Sequence, residues 1–138
     1  MDLHEHRAVT LIELMVVIII IGVVLAFGIP MYQNVVQKAR EKTVKNCLLL
    51  IKDAQEIYLD DNSHYFPDAG GIPMPGLTNI NNNLNLAIIG DFAYYSCTSS
   101  AWNLYSCTGT YPQPPASAQW CCKVTESASP VCYTGACP

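Results

Sequence analysis

Glu13 is the one charged residue in an apolar run that extends from Val9 to Pro30. An ionised side chain in the core of a bilayer costs roughly 2.5 kcal/mol or more, so such residues are usually paired or functional. The chemistry that this placement indicates is charge pairing. We therefore expect Glu13 to find a positively charged partner.

The cysteines form the second set of reactive side chains. All seven lie C-terminal to the apolar run: Cys47, Cys97, Cys107, Cys121, Cys122, Cys132 and Cys137. Six of them fall between residues 97 and 137, a density that indicates disulfides and an oxidising compartment.

The pairing of these cysteines stays open at this point. Cys97 and Cys107 could clip a hairpin, and Cys132 and Cys137 could each reach Cys121 or Cys122. Adjacent residues on a strand face opposite sides of the sheet, so Cys121 and Cys122 should have different partners. Cys47 is a further candidate, as a partner across the core. With seven cysteines, one thiol must remain unpaired.

No other motif indicates an enzyme or a cofactor. The chain has no C-x-x-C pair, and His64 is the one histidine beyond residue 8. We therefore expect no catalytic residues, no metal and no cofactor. Asp60, Asp61 and Asp68 fit solvated carboxylates better than a calcium site. The net charge of −4 and the low aromatic content do not indicate a nucleic-acid partner.

The apolar run is long enough to cross a membrane. Leu11 to Ile29 spans a hydrocarbon core of about 30 Å at about 1.5 Å per residue. The apolar stretch of a secretory signal peptide is shorter, about 7–15 residues, and ends at a cleavage site of small residues. We therefore expect a retained membrane helix over residues 9–30. Gly22 and Pro30 should weaken this helix, and Pro30 should kink it.

A second helical pattern follows over residues 31–60. Apolar residues recur there at the i, i+3, i+4 spacing of a helix with one buried face, and polar residues fill the other side. Four basic residues lie just beyond the apolar run and, taken alone, would favour a cytoplasmic location for that side of the membrane helix: Lys38, Arg40, Lys42 and Lys45. The cysteine-dense segment needs an oxidising compartment, so we place the N-terminus inside and the domain outside.

Residues 61–138 are predicted to form a head rich in loops and strands. The stretch from Phe66 to Asn85 is predicted to be rich in loops, because its prolines and glycines interrupt helices and strands. Asn81 to Asn83 are expected in a turn or loop. Short β-like runs follow at 92–97, 103–107, 119–124 and 131–133. The predicted fold class is α+β: a long, kinked N-terminal helix packed on a small antiparallel sheet stapled by disulfides.

The N-terminal run resembles that of type IV pilins and of the pseudopilins of type II secretion. The residues that carry the resemblance are V-T-L-I-E-L-M-V-V from Val9, followed by Gly22, Pro30 and Tyr32. Residues 58–67, Y-L-D-D-N-S-H-Y-F-P, are similar to the stretch where such helices give way to the globular head. Past residue 67 the likeness is one of architecture.

The resemblance implies a leader peptide over residues 1–8. Prepilin peptidase would cut between Ala8 and Val9 and methylate the new N-terminus at Val9. Ala8 stands where the family usually has glycine, and Val9 where it usually has phenylalanine or methionine. In the assembled filament, Glu13 would pair with the Val9 amine of a neighbouring copy. The alternative is that Glu13 caps its own helix. The resemblance also implies local unwinding at Gly22 and Pro30 during assembly, and the alternative there is a simple kink.

Three functions remain open on this basis. The first is a structural subunit of an extracellular type IV pilus, anchored in the inner membrane before assembly. The second is a pseudopilin of a type II secretion system. The third is a membrane-anchored, disulfide-rich binding domain that does not assemble. The partners implied by the first two are further copies of the chain, prepilin peptidase, the inner-membrane assembly machinery and the membrane.

Overall fold

A computed structural model describes residues 10–68, 70–90, 93–111 and 120–138. The elements are helix α1 (Leu11–Asn62), strand β1 (Met74–Pro75), helix α2 (Leu77–Asn83) and strands β2 (Tyr94–Ala101), β3 (Leu104–Tyr111), β4 (Trp120–Thr125) and β5 (Ala128–Thr134). The chain divides into two compact units, residues 1–39 and 40–138. We call the second unit the head.

Helix α1 has 52 residues and continues without interruption through Gly22 and Pro30. It ends where the sequence predicts. The Asn62 side-chain amide donates a hydrogen bond to the carbonyl of Tyr58 (3.0 Å). Ser63 then adopts a left-handed φ of 61°, the conformation that commonly ends a helix.

The five strands form one antiparallel sheet in the order β1-β2-β3-β4-β5. With α1 packed on it, the sheet confirms the predicted α+β class. The strands β2 to β5 overlap the four predicted runs, and β2, β3 and β5 are longer than predicted. Phe92 and Gln119 lie outside the described residues.

The prediction of a loop or turn at Asn81–Asn83 was wrong, because these residues belong to α2. Asparagine is a poor helix former because its side chain competes for backbone groups. Here those bonds support the fold: Asn81 donates to the Ile88 carbonyl (2.8 Å) and accepts from the Ile88 N–H (3.2 Å). Ile80 has no solvent exposure and anchors α2 in the core.

The core lies between the head portion of α1 and one face of the sheet. From α1 come Val44, Leu48 and Ile51, all with no exposure. The strands contribute Tyr95, Cys97, Tyr105, Cys107, Trp120, Cys122 and Val124. Gly109 on β3 permits the close approach of the helix, since a Cβ added there would lie 2.5 Å from Val44 Cγ1.

Three disulfides staple the sheet. Cys97–Cys107 joins residues directly opposite each other on β2 and β3, and Cys122–Cys132 does the same on β4 and β5. Cys121 bonds to Cys137, beyond the end of β5. Cys121 and Cys122 therefore have different partners, as their alternation on the strand predicts.

Cys47 is free, so its inclusion among the disulfide candidates was wrong. The other six cysteines pair among themselves, because strand register or the C-terminal tail brings each one to its partner. Cys47 is instead a small buried residue of the core, 8% exposed. It lies close enough to Tyr95 to affect the titration of that hydroxyl.

Candidate functional site

The candidate functional site is the apolar segment of α1 from Leu11 to Ile29. Every Leu, Ile, Val, Met and Phe in this segment is between 49% and 86% exposed. A single chain therefore leaves the segment uncovered on all sides. Such a surface indicates contact with lipid or with other polypeptides.

Among the described residues, α1 is the one helix that is long and apolar enough to cross a membrane. No heavy atom lies within 4 Å of a Cβ added at Gly22 or Gly28. Packing within one copy therefore does not require glycine at either position.

Glu13 lies in the first turn of α1 and contacts Thr10. The Thr10 hydroxyl accepts a hydrogen bond from the Glu13 backbone N–H (3.3 Å) and donates one to the Glu13 carboxylate (3.5 Å). The Thr10 carbonyl accepts the first helical hydrogen bond, from the N–H of Leu14 (3.2 Å). Thr10 is therefore the N-cap residue of α1, which satisfies one of the unpaired N–H groups at the helix start.

The part that Thr10 plays was missed at the sequence level, although the signal was present. The pattern T-x-x-E before an apolar run is typical of a capping box. In a single copy Glu13 thus makes the local contacts of a capping carboxylate. These contacts leave the Glu13 side chain exposed.

The predicted leader over residues 1–8 and the predicted processing residues Ala8 and Val9 lie outside the described residues. The predicted pairing of Glu13 with a Val9 amine of another copy therefore remains a prediction. Gly22 and Pro30 lie within the continuous helix, and their predicted effect on helix flexibility also remains a prediction.

Arg40 has a specific contact on the sheet. Its Nη1 donates a hydrogen bond to the Tyr111 hydroxyl (2.9 Å), and its guanidinium carbon lies 5.0 Å from the centre of that ring. Tyr111 in turn stacks on Trp120, with ring centres 5.6 Å apart. This contact joins the start of the head helix to β3 and β4. Arg40 is therefore half-buried against the sheet.

No set of three or more His, Cys, Asp or Glu side chains is placed to hold a metal ion in the part of the chain that the structure describes. Asp60 and Asp61 are exposed at the end of α1. Asp68 instead pairs with His64, whose Nε2 lies 2.6 Å from Asp68 Oδ1.

Comparison with known proteins agrees with the apolar helix and its acidic residue. The family model described as the prokaryotic N-terminal methylation motif matches residues 4–29. The match includes the predicted cleavage position and Glu13. It confirms the resemblance to prepilin-type N-termini.

Curated relatives extend the likeness beyond the motif. The type II secretion system core protein G of Escherichia coli (strain K12) is 34% identical over 61 residues, which cover 44% of this chain and 42% of that protein. The protein of the same name from Klebsiella pneumoniae is 35% identical over 63 residues, covering 46% and 45%.

A third relative does not carry the name of a type II secretion protein. The prepilin peptidase-dependent protein D of Escherichia coli (strain K12) is 36% identical over 88 residues, which cover 62% of this chain and 60% of that protein. The chain thus spans between 42% and 60% of the length of these three relatives. No solved structure gives a significant match.

The chain therefore carries a prepilin-type N-terminal methylation motif, is similar over part of its length to pilin- and pseudopilin-type proteins, and has a helix-on-sheet architecture.

Proposed function

We propose that the chain is a structural subunit of a type IV pilus filament, and that its function is structural rather than enzymatic. Copies of the segment Leu11–Ile29 pack side by side in the filament core. Before assembly the same segment crosses the inner membrane, with the N-terminus in the cytoplasm and the head outside. After assembly the filament lies at the cell surface.

The observation that carries this proposal is the uncovered apolar segment with one carboxylate in its first turn. Lipid covers such a segment in the membrane, and copies of the segment cover it in a filament. Because both surroundings are apolar, transfer between them avoids the exposure to water that would cost roughly 25 cal/mol per Å² of apolar surface.

Glu13 then sets the register between copies. Cleavage before Val9 would create a positively charged amine four residues from Glu13. A buried charge left without a partner costs roughly 3–5 kcal/mol, so a shifted register would be strongly disfavoured. The exposure of Glu13 in a single copy supports this pairing, since a neighbour can reach the carboxylate.

Substitution at Glu13 tests the pairing. We expect Glu13→Gln to reduce filament yield by at least about tenfold, because the amide retains hydrogen bonding to Thr10 but loses the charge. Thr10→Val removes the cap alone and should lower assembly far less. Filaments sheared from cells and quantified by immunoblot provide the measurement. Normal filament yield with Glu13→Gln would contradict the charge pairing.

Processing needs a separate measurement. Mass spectrometry of the N-terminal peptide from cells should find methylated Val9 as the first residue, in a strain with active prepilin peptidase. In a strain that lacks the peptidase, residues 1–8 should remain attached to the protein. An unprocessed N-terminus in wild-type cells would favour a membrane-anchored domain that does not assemble.

A second candidate function is a pseudopilin of a type II secretion system. Two of the relatives carry the name of a core protein of that system, and this observation favours it. Deletion of the gene distinguishes the two functions. Loss of surface filaments with normal secretion of exoproteins supports the pilus, whereas loss of secretion with filaments retained supports the pseudopilin.

A further inference from the structure

The head contains a cavity of about 310 Å³ beside the C-terminal end of α1. The residues that line it include Tyr58, Phe66, Asp68, Ile72, Met74 and Asn83. The volume is at the lower end of the range of small-molecule sites, about 300–1,000 Å³. The proposed assembly function does not use this cavity.

Two aromatic rings form one corner of the cavity. The Tyr58 and Phe66 ring centres lie 5.9 Å apart, and their planes make an angle of 70°. Phe66 is 4% exposed, and its backbone is held at both its N–H and its carbonyl by Gln55 (2.9 and 2.6 Å). The corner is therefore anchored to the core of the head.

The carboxylate of Asp68 is held in place by a chain of contacts. His64 Nε2 lies 2.6 Å from Asp68 Oδ1, and His64 Nδ1 lies 2.8 Å from the carbonyl oxygen of Asn62. The His64 ring makes edge-to-face contacts with Tyr58 and Trp102, each with ring centres 5.7 Å apart. His64 is thus a positioning residue for Asp68.

The electrostatics of the cavity favour a cation. The described residues that line it include one acid and no Lys or Arg. Burial raises the pKa of Tyr58, and the negative charge of Asp68 raises it further. Asp68 is already paired with His64 (2.6 Å), so a cationic ligand would share this carboxylate with the imidazole, whereas a ligand without charge would make no use of it.

We propose that this cavity binds an organic ammonium group, with the half-buried Tyr58 ring against its apolar surface and the Asp68 carboxylate near its charge. Aromatic faces attract ammonium groups within about 6 Å of the ring centre. Asp68 is 85% exposed, so its ion pair is screened by water. We therefore expect a dissociation constant in roughly the millimolar range.

Titration of the full chain in micelles of a non-ionic detergent tests this proposal independently of filament assembly. The probe is choline, and the control is 3,3-dimethylbutan-1-ol, which has the same shape without the charge. Choline should produce saturable shifts in the NMR signals of the Met74 methyl and the Tyr58 ring. The alcohol should bind at least about threefold more weakly.

Substitutions assign the effect to the named groups. Asp68→Asn should weaken choline binding roughly three- to fivefold, and Asp61→Asn, an exposed acid that does not line the cavity, should leave it unchanged. Tyr58→Phe retains the ring and should bind choline, whereas Tyr58→Leu should not. The methyl signals of buried Ile51 verify folding, and if Tyr58→Leu unfolds, the Asp68→Asn and Tyr58→Phe variants decide.

Butylammonium, run in parallel, distinguishes the source of the ligand. Binding at least as tight as that of choline would indicate a primary ammonium such as a lysine side chain, and weaker binding would indicate a quaternary amine. Either result supports the ammonium site. No saturable shift with either amine, equal binding of the neutral alcohol, or normal choline binding by Asp68→Asn would overturn the proposal.

Discussion

Gln55 lies on α1 with no solvent exposure and fixes the segment that follows the helix. Its side-chain amide donates to the carbonyl of Phe66 (2.6 Å) and accepts from the Phe66 N–H (2.9 Å). These two bonds satisfy both backbone groups of one buried residue. A buried polar group left without a partner costs about 1–3 kcal/mol, so this pair contributes substantially to stability.

Replacement of Gln55 by an apolar residue of similar size should therefore destabilise the head. We expect Gln55→Leu to lower the free energy of unfolding by about 2–4 kcal/mol, measured by thermal or chemical denaturation in detergent. Glu56→Leu introduces the same side chain at the neighbouring, exposed position and should change stability by less than about 0.5 kcal/mol. Equal effects of the two substitutions would contradict the bridging function of Gln55.

Two tyrosine hydroxyls are buried in the core without a hydrogen-bond partner, those of Tyr95 and Tyr105. Burial raises the pKa of both above the ordinary value of 10; the neighbouring Cys47 raises that of Tyr95 further, and Tyr65 and nearby acids raise that of Tyr105. Each hydroxyl therefore stays protonated in the folded head at a pH where the unfolded chain ionises.

The sign of the pH effect follows from this difference. Above about pH 10 the unfolded chain releases phenolic protons and the folded head retains them, so stability falls as pH rises. We expect a slope of up to about 1.4 kcal/mol per pH unit for each buried tyrosine. Denaturation curves between pH 9 and pH 12 measure it.

The double substitution Tyr95→Phe and Tyr105→Phe isolates the two hydroxyls. It should flatten the alkaline loss of stability and cost little at pH 7, because neither hydroxyl has a hydrogen-bond partner. Tyr32→Phe, at a residue that is 71% exposed, should leave the slope unchanged. An unaltered slope in the double variant would assign the alkaline transition to other groups.

At the scale of the elements, the contact between α1 and β3 depends on the absence of a side chain at Gly109. A Cβ at Gly109 would lie 2.5 Å from Val44 Cγ1 and 3.2 Å from Tyr95 Cε1. Val44 and Tyr95 are both buried, so neither has free space to move into. The helix can approach the sheet this closely because position 109 is glycine.

Gly109→Ala should overpack this contact. We expect a loss of about 1–3 kcal/mol in the free energy of unfolding. Val44→Ala in the same chain should recover part of the loss, and the double-mutant cycle should give a coupling above about 0.5 kcal/mol. Gly90→Ala is the matched control, since its Cβ would meet Tyr95 at an ordinary 3.6 Å. A stable Gly109→Ala variant would show that the helix can shift.

The disulfides act at the same scale by joining neighbouring strands. Cys97–Cys107 and Cys122–Cys132 link residues directly opposite in the ladder. Cys121–Cys137 ties the C-terminal tail to β4. The tail is also held by Lys123, whose Nζ donates to the main-chain oxygen of Pro138 (2.8 Å).

At the scale of the whole molecule, the buried residues of the part that the structure describes all lie in the head. The first buried core residue is Val44, and the apolar segment before it is exposed. The two units therefore have different solvent requirements. The head has its own core, whereas the N-terminal segment depends on lipid, detergent or other polypeptides.

Truncation tests this division. A chain without residues 1–29 should be monomeric without detergent, and its melting temperature should lie within about 4 °C of that of the full chain, which corresponds to less than about 1 kcal/mol. Removal of residues 1–48 also takes away Val44 and Leu48, so that chain should not fold. Circular dichroism and sedimentation provide the measurements. A large loss of stability on the first truncation would mean that residues 1–29 stabilise the head.

Patterns along the chain were sufficient to predict α1, the antiparallel strands and the resemblance to prepilin-type N-termini. The apolar run, the i, i+3, i+4 spacing and the T-L-I-E-L motif are local signals, because each depends on residues close in sequence. Strand alternation alone also predicted that Cys121 and Cys122 have different disulfide partners.

The tertiary structure decided the features that depend on residues far apart in sequence. The choice among disulfide pairings required the register of β2 to β5, and the free thiol of Cys47 followed from that choice. Helix α2 was not predicted because asparagine has a low helix propensity. The burial of Ile80 outweighs this propensity in the folded head. The Gln55 bridge and the fit of Gly109 against Val44 likewise became evident only after α1 and the sheet were packed, because a contact between distant residues leaves no periodic signal.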